Sequence, residues 1–213
     1  MTFLTRTLAI VAVIFLSGCT TIKYNALEKV GIHKRDLLID NVEDTRDAQE
    51  EAQEQFQDAL ERFGQVITIE ETELKAAYDR LNDEYEDSVD AADDVSEQID
   101  EVEAVANDLF KEWDEENQTY SDAVLRRSSE SQLRDTQAQY KELLKTMKDA
   151  EASMQPVLVT MRDNVLFLKH NLNAQVVGSL QTTFNELEGD IDILVERMRQ
   201  SIARSDEFIR QMQ

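Results

Sequence analysis

Apolar residues recur along much of the chain at alternating steps of four and three, the spacing of a heptad repeat. In the clearest run, eleven of twelve successive positions are apolar or aromatic, and aspartate and glutamate crowd the positions between them. This pattern predicts one long helix with a single apolar stripe facing partner helices. The positions are Leu74, Tyr78, Leu81, Tyr85, Ser88, Ala92, Val95, Ile99, Val102, Ala106, Leu109 and Trp113.

An earlier and less regular run predicts a first helix. It comprises Val42, Thr45, Gln49, Ala52, Phe56, Ala59 and Phe63. Its two polar members, Thr45 and Gln49, weaken the stripe. Gly64 is expected to stop this helix. The spacing of Thr68 and Glu71 is that of a capping box, which predicts the start of the second helix near Ile69.

The last part of the chain predicts a third long helix. Ser129 and Gln132 have cap spacing, so we expect a helix–helix turn at about residues 126–130. Pro156 is expected to kink or restart the helix. The 4/3 step then covers Leu158, Met161, Val165, Leu168 and Leu172, passes a stutter at Val176 and Leu180, and resumes at Phe184, Leu187, Ile191, Leu194 and Met198.

Together these runs predict an all-α protein. We expect an elongated antiparallel helical bundle or coiled coil of about three long helices, forming a single domain over residues 26–213.

The N-terminus has the layout of an export signal. Arg6 precedes a short apolar run, and the small residues Ser17 and Gly18 follow it. The run is too short to cross a bilayer as a helix, which takes about 20 residues. Leu16-Ser17-Gly18-Cys19 resembles the bacterial lipobox, and this resemblance implies that Cys19 is diacylated and becomes the first residue. Residues 1–18 are therefore predicted to be a lipoprotein signal peptide, and 19–25 a lipid-anchored tether.

The residue after the cysteine indicates which membrane holds the lipoprotein. It is Thr20 rather than aspartate, which by the same resemblance favours the outer membrane, with the protein in its inner leaflet and facing the periplasm. Membrane attachment through the N-terminal lipid is the first partner that we predict.

Charge narrows the class of protein. Lys and Arg number 22 against 45 Asp and Glu, a formal net charge of -23. Because nucleic-acid binders neutralise phosphates with a basic face, we expect no nucleic acid as a partner. The compact basic patch is His33, Lys34 and Arg35, near the anchor. These side chains either contact anionic headgroups or serve a helix end and balance nearby acids.

The residue inventory gives little support to catalysis. The chain has one Cys and two His, His33 and His170, and neither histidine has another ligand at metal spacing. The acidic runs lack the EF-hand pattern, and GxSxG and GxxxxGK[ST] are missing. We therefore expect no enzyme activity, no cofactor and no metal site.

The stretch "NALEKVGIHKRDLLIDNVEDTRDAQEEAQEQFQDALERF", following the lipobox, resembles the proteobacterial lipoprotein family catalogued as domain of unknown function 2959. The resemblance implies an exported, long-helical protein and supplies no catalytic residues. Some members carry an automatic label of DNA-repair ATPase. The missing phosphate-binding loop argues against that activity here.

The function expected from these features is that of a lipid-anchored periplasmic coiled-coil scaffold, spacer or adaptor. Its partner would be an envelope protein or a second copy. Trp113 and Tyr120, near the far turn, are candidate partner contacts, with core packing as the alternative for Trp113. The alternative function is a groove-binding ligand carrier or chaperone-like module, lined by Met147, Met154, Met161 and Met198.

Overall fold

A computed structural model of the chain describes residues 34–66, 74–171 and 174–213, apart from the side chains of residues 174–179. Four α-helices occupy these ranges: α1 (Lys34–Val66), α2 (Leu74–Asn117), α3 (Ala123–His170) and α4 (Ala174–Met212). No strand occurs in the described ranges. The all-α prediction is confirmed, but the number of helices is four rather than about three.

The extra helix arises where the heptad pattern predicted only a stutter. Helix α3 ends at His170, and Asn171 leaves helical geometry with φ -135° and ψ 56°. Its backbone N–H donates to Leu168 O at 3.1 Å, and its side-chain Nδ2 donates to Phe167 O at 2.9 Å. These bonds satisfy two of the carbonyls that the last turn of a helix leaves open. One predicted helix thus becomes two, α3 and α4.

The turn predicted at residues 126–130 is wrong. Helix α2 continues to Asn117, and α3 begins at Ala123. Asp122 caps α3, because its side chain accepts from Val124 N at 2.6 Å and Leu125 N at 3.2 Å. Ser129, expected to be a cap, lies inside α3.

Two predicted helix breakers lie inside continuous helices. Pro156 stands within α3. Because proline has no amide N–H, the carbonyl of Ala152 loses its helical donor. Both residues are exposed, so water reaches that carbonyl. Gly64 stands within α1, which ends at Val66. A Cβ at position 64 would lie 3.2 Å from Cε2 of Phe184, so the glycine permits a close approach of α4. The predicted capping box of Thr68 and Glu71 lies outside the described residues.

Each helix packs mainly on two others: α1 packs on α2 and α4, and α3 packs on the same two helices. Cross-helix bonds fix the directions. Each pair of packed helices has two contacts at different heights, and they run in opposite chain order on the two helices. They are Lys34–Glu112 and Gln55–Glu84 for α1 and α2, Ser96–Glu151 and Trp113–Ser129 for α2 and α3, Arg35–Met212 and Arg46–Asp206 for α1 and α4, and Tyr140–Phe208 and Asp149–Arg197 for α3 and α4. Neighbouring helices therefore run antiparallel.

The alternation of directions defines two ends. The near end contains the start of α1, the end of α2, the start of α3 and the end of α4. The far end contains Val66, Leu74, His170 and Ala174.

The buried residues follow the predicted stripes. All seven predicted positions of α1 are buried, including the polar Thr45 and Gln49, both 0% exposed. In α2, eight of the twelve are buried, and Tyr78, Tyr85, Leu109 and Trp113 are partly buried. The later run also lies in the core, from Leu158 to Leu168 and from Leu180 to Met198, with Phe184 partly buried. Leu172 and the side chain of Val176 lie outside the described part of the chain.

Candidate functional site

The residues predicted to be functional divide into two groups. Leu16, Ser17, Gly18, Cys19 and His33 lie outside the described residues. Lys34, Arg35, Trp113 and Tyr120 lie within them, and all four are at the near end. The turn that carries Tyr120 was expected at the far end from the anchor. It instead lies beside the start of α1, because α1 and α2 together carry the chain away from this end and back to it.

Both described members of the basic patch contact other helices. Nζ of Lys34 lies 2.9 Å from Oε2 of Glu112 in α2. Nη2 of Arg35 donates to the carbonyl oxygen of Met212, in the last turn of α4. A cation at this position complements the partial negative charge of a helix C-terminus. These contacts support the alternative in which the two residues serve a helix end and balance nearby acids. Headgroup contact stays a prediction.

A groove of about 310 Å³ opens between the start of α1 and the last turns of α2. Its lining alternates in charge, with two cations, three carboxylates and two apolar side chains. The lining residues are Lys34, Arg35, Asp36, Leu109, Glu112, Trp113 and Glu116. Because its charges are mixed and its cations bond other helices, the groove favours no class of ionic ligand.

Trp113 joins α2 to α3 inside this end. Its indole Nε1 donates to Oγ of Ser129 at 2.8 Å, and its ring is partly buried. Trp113 is thus neither fully buried nor free at the surface, and its indole N–H is bonded to another residue of the chain. Tyr120 is 42% exposed and stays available to a partner.

An aromatic layer joins three helices near this end. The rings of Phe110 in α2 and Tyr140 in α3 meet edge to face at 5.3 Å, and Phe208 in α4 lies 6.5 Å from Tyr140. Burial raises the pKa of Tyr140 above its ordinary value, and the negative charge of Glu103 adds to this effect. The heptad spacing does not predict this layer, because Phe110, Tyr140 and Phe208 lie outside the predicted apolar runs.

Beyond that layer the α2–α3 connection projects as a tip, which we define as residues 118–127. Every residue of the tip is exposed. Tyr120, Val124 and Leu125 expose 42%, 65% and 56% of their surface. Arg126 and Arg127 follow them, and no ion pair joins either to a carboxylate in the described chain.

Polar groups without partners are buried at two levels of the core. Neither Oε1 nor Nε2 of Gln49 has a hydrogen-bond partner among the described residues, and the same is true of Oγ of Ser201 in α4. Asn117, just below the tip, is 2% exposed and its amide is likewise unpaired. Thr45 differs, because its hydroxyl donates to Asn41 O at 2.8 Å. The heptad pattern placed Gln49 in the stripe, but nothing in the sequence marked Ser201 or Asn117 as buried.

Lys148 of α3 is the centre of the densest charge network in the described chain. Its Nζ lies 3.3 Å from Asp100, 3.1 Å from Glu103 and 3.6 Å from Glu151. Partial burial lowers its pKa, but hydrogen bonds to Glu103 and Asp100 outweigh this and the pKa is raised. The network links α2 to α3 at mid-height, and because its members are partly solvated we assign it a modest structural role.

The described ranges contain neither a candidate metal site nor a candidate membrane-spanning helix. No group of three or more His, Cys, Asp or Glu side chains converges there on a common point. His170 is exposed at the end of α3. None of the described helices combines the length and the apolar character that a membrane span needs.

The four methionines proposed as a groove lining are all buried. Met147 and Met198 are 0% exposed, Met154 is 2% and Met161 is 5%. All four belong to the continuous core cluster. The core therefore presents no open methionine-lined groove within the described residues.

Comparison with known proteins gives one match. A family model described as "Protein of unknown function (DUF2959)" matches residues 23–212. Neither a curated protein nor a solved structure matches the chain significantly.

Proposed function

Since this chain belongs to the DUF2959 family of proteins of unknown function, we propose its role from its own sequence and geometry: a lipid-anchored, non-catalytic scaffold or spacer of the cell envelope. Cys19 carries the lipid, and the four helices form an elongated antiparallel bundle of coiled-coil type. The inner leaflet of the outer membrane holds the anchor, and the rod faces the periplasm.

The observation that carries the proposal is the closure of the core. The four core methionines are buried, and the apolar stripes of all four helices meet in one cluster. A carrier or chaperone of the methionine-groove type needs those side chains at an accessible surface. A closed stripe along antiparallel helices supports a rod whose outer surface and ends make the contacts.

The dimensions suit a spacer. Helix α3 has 48 residues, which at about 1.5 Å per residue gives a rod of about 70 Å. Fourteen residues separate Cys19 from Lys34. Fully extended, they reach at most about 50 Å, so the start of α1 lies within that distance of the membrane.

The acidic surface limits the choice of partners. With 45 acidic and 22 basic residues, the rod repels other polyanions over about 10 Å at moderate ionic strength. An envelope protein with a basic face would be attracted by the same field. Self-association would have to rely on apolar contacts, and the exposed Val159, Leu166, Phe167 and Ile193 are the described side chains available away from the tip.

The anchor is tested by mass and location. We expect the native protein to begin at Cys19 with acyl chains attached and to fractionate with the outer membrane. The Cys19→Ser variant should lose the acyl mass and appear in the soluble fraction. An unmodified N-terminus at Met1 in the native protein would remove the envelope proposal.

The scaffold role is tested separately by crosslinking in cells. A photo-crosslinking residue at exposed Lys169 samples the far end, and one at exposed Arg127 samples the near end. We expect Lys169 to capture a defined envelope protein or a second copy. Capture of cytosolic DNA-repair proteins alone would contradict the proposal, and nucleotide binding by the purified protein would favour the enzyme alternative.

A further inference from the structure

We propose that the α2–α3 tip is a second membrane contact, which inserts Tyr120, Val124 and Leu125 into the headgroup region of the bilayer that holds the lipid anchor. This rests on the proposed function, because the anchor brings the bilayer within reach.

Packing among the described residues leaves the apolar side chains of the tip exposed. Tyr120, Val124 and Leu125 expose about half of their surface or more, while Leu133 is the first buried residue of α3. Three such side chains on one short tip are what an interfacial membrane contact requires. Tyrosine suits that depth in particular, since its ring is apolar and its hydroxyl stays hydrated.

The basic residues of the tip match lipid phosphates. Arg126 and Arg127 adjoin Val124 and Leu125, are exposed, and form no ion pair within the described chain. A guanidinium beside an inserted apolar side chain bonds phosphate oxygens at the headgroup level. The opposing charges at this level are Asp114, Glu115 and Glu116 on α2, Asp122 within the tip and Glu130 on α3. They limit the electrostatic gain, so we expect apolar insertion to dominate and salt to weaken the contact only modestly.

The position of the tip selects a bilayer as its occupant. Lys34 and Glu112 are in contact, so the chain enters α1 beside the end of α2, at the base of the tip. The linker from Cys19 ends at this point. The far end, by contrast, lies about 50 Å away along α1. Of the exposed apolar groups, those of the tip are the nearest to the point where the linker joins α1.

The test uses the lipidated protein in vesicles of phosphatidylethanolamine and phosphatidylglycerol at 3:1. The chain has one Cys, and acylation blocks it, so Ser121→Cys carries a single nitroxide at the tip. Lys169→Cys carries the matched label at the far end. Electron paramagnetic resonance with oxygen and a nickel chelate then measures the depth of each label, and flotation measures the anchor independently.

We expect the Ser121 label to be at least threefold less accessible to the nickel chelate than the Lys169 label. Replacing Val124 and Leu125 together by Asp should remove this difference without changing flotation. The same double change at Val159 and Leu166, which lie on the same helix and are exposed at 43% and 47%, should leave it intact.

Each outcome has one meaning. A protein that floats with equal accessibility at both labels overturns the tip contact and leaves the anchor standing. Protection of Ser121 that persists after the Val124 and Leu125 changes also overturns it, because a protein contact would then cover the tip. A protein that carries no lipid and does not float overturns both proposals.

Discussion

The indole N–H of Trp113 donates to the hydroxyl of Ser129 at 2.8 Å, tying the last turns of α2 to the second turn of α3. Ser129 had been expected to cap a helix, and Trp113 to lie at the far turn. Their contact shows instead that the two helices pass each other above the aromatic layer, at the near end. The tip therefore projects from a hydrogen-bonded base.

Removal of this bond should loosen the base of the tip. Trp113→Phe keeps most of the ring and Ser129→Ala removes the acceptor, so each should lower the free energy of unfolding by about 1 kcal/mol, the typical net value of one hydrogen bond. Both changes remove the same hydrogen bond. The double variant should therefore lose about as much free energy of unfolding as Trp113→Phe alone, which also carries the packing cost of the smaller ring. Urea denaturation followed by circular dichroism measures this, with Ser128→Ala, at an exposed position, as the control.

The buried side chain of Gln49 is predicted to lower the free energy of unfolding. Its amide is fully buried with no partner among the described residues, so Gln49→Met, which nearly conserves volume, should raise the free energy of unfolding by about 1–3 kcal/mol. Gln57→Met makes the same change at an exposed position of the same helix and should have little effect. A loss of stability at position 49 would mean that the amide is satisfied in solution. A change of oligomeric state in the variant would instead give Gln49 a role in specificity.

Two helical glycines provide a matched pair. A Cβ at Gly189 would meet nothing within 4 Å, so Gly189→Ala should stabilise the protein by about 0.5–1 kcal/mol through helix propensity. At Gly64 the Cβ would lie 3.2 Å from Phe184, whose ring stacks on Phe63 at 6.0 Å. Gly64→Ala should therefore gain less than Gly189→Ala or destabilise the protein. Thermal melts of both variants decide this, and an equal gain would mean that the Phe184 ring yields freely.

Tyr140 should make the protein sensitive to alkali. Its pKa is raised in the folded state, so above about pH 10 the unfolded chain ionises while the folded protein keeps the proton. Stability must then fall as pH rises from the unfolded pKa towards the higher folded one. Tyr140→Phe keeps the ring contacts and removes this loss. Its melting temperature relative to wild type should rise between pH 8 and pH 11, whereas Tyr120→Phe, at an exposed tyrosine, should show no such change.

The extent of sequence-based prediction differs between core and ends. The buried faces of α1, α2 and the later helices follow from the 4/3 spacing, because burying one stripe of a helix imposes that period whatever the partner. The period carries no information on where the chain reverses. That depended on Asp122, a single capping carboxylate, and on the conformation of Asn171, so the turn was misplaced and the fourth helix missed.

The sequence predicted several residues of the candidate site but not that they lie at the same end of the molecule. Lys34, Arg35, Trp113 and Tyr120 were singled out for charge or aromatic character, and they were assigned to opposite ends of the molecule. The contact of Lys34 with Glu112 brings them together. The exposure of Val124 and Leu125 could not be predicted from the sequence, because burial of an apolar residue at the start of a helix depends on which helices pack beside it.

Local chemistry along the chain by itself determined the helical class, the apolar stripes and the acidic surface, because each depends on residues within a few turns of one another. The tertiary structure alone decided which helix ends share a level, which buried amides lack partners and which apolar side chains stay uncovered. Those properties depend on helix length and direction, and a difference of one turn in where a helix stops moves a side chain from core to surface.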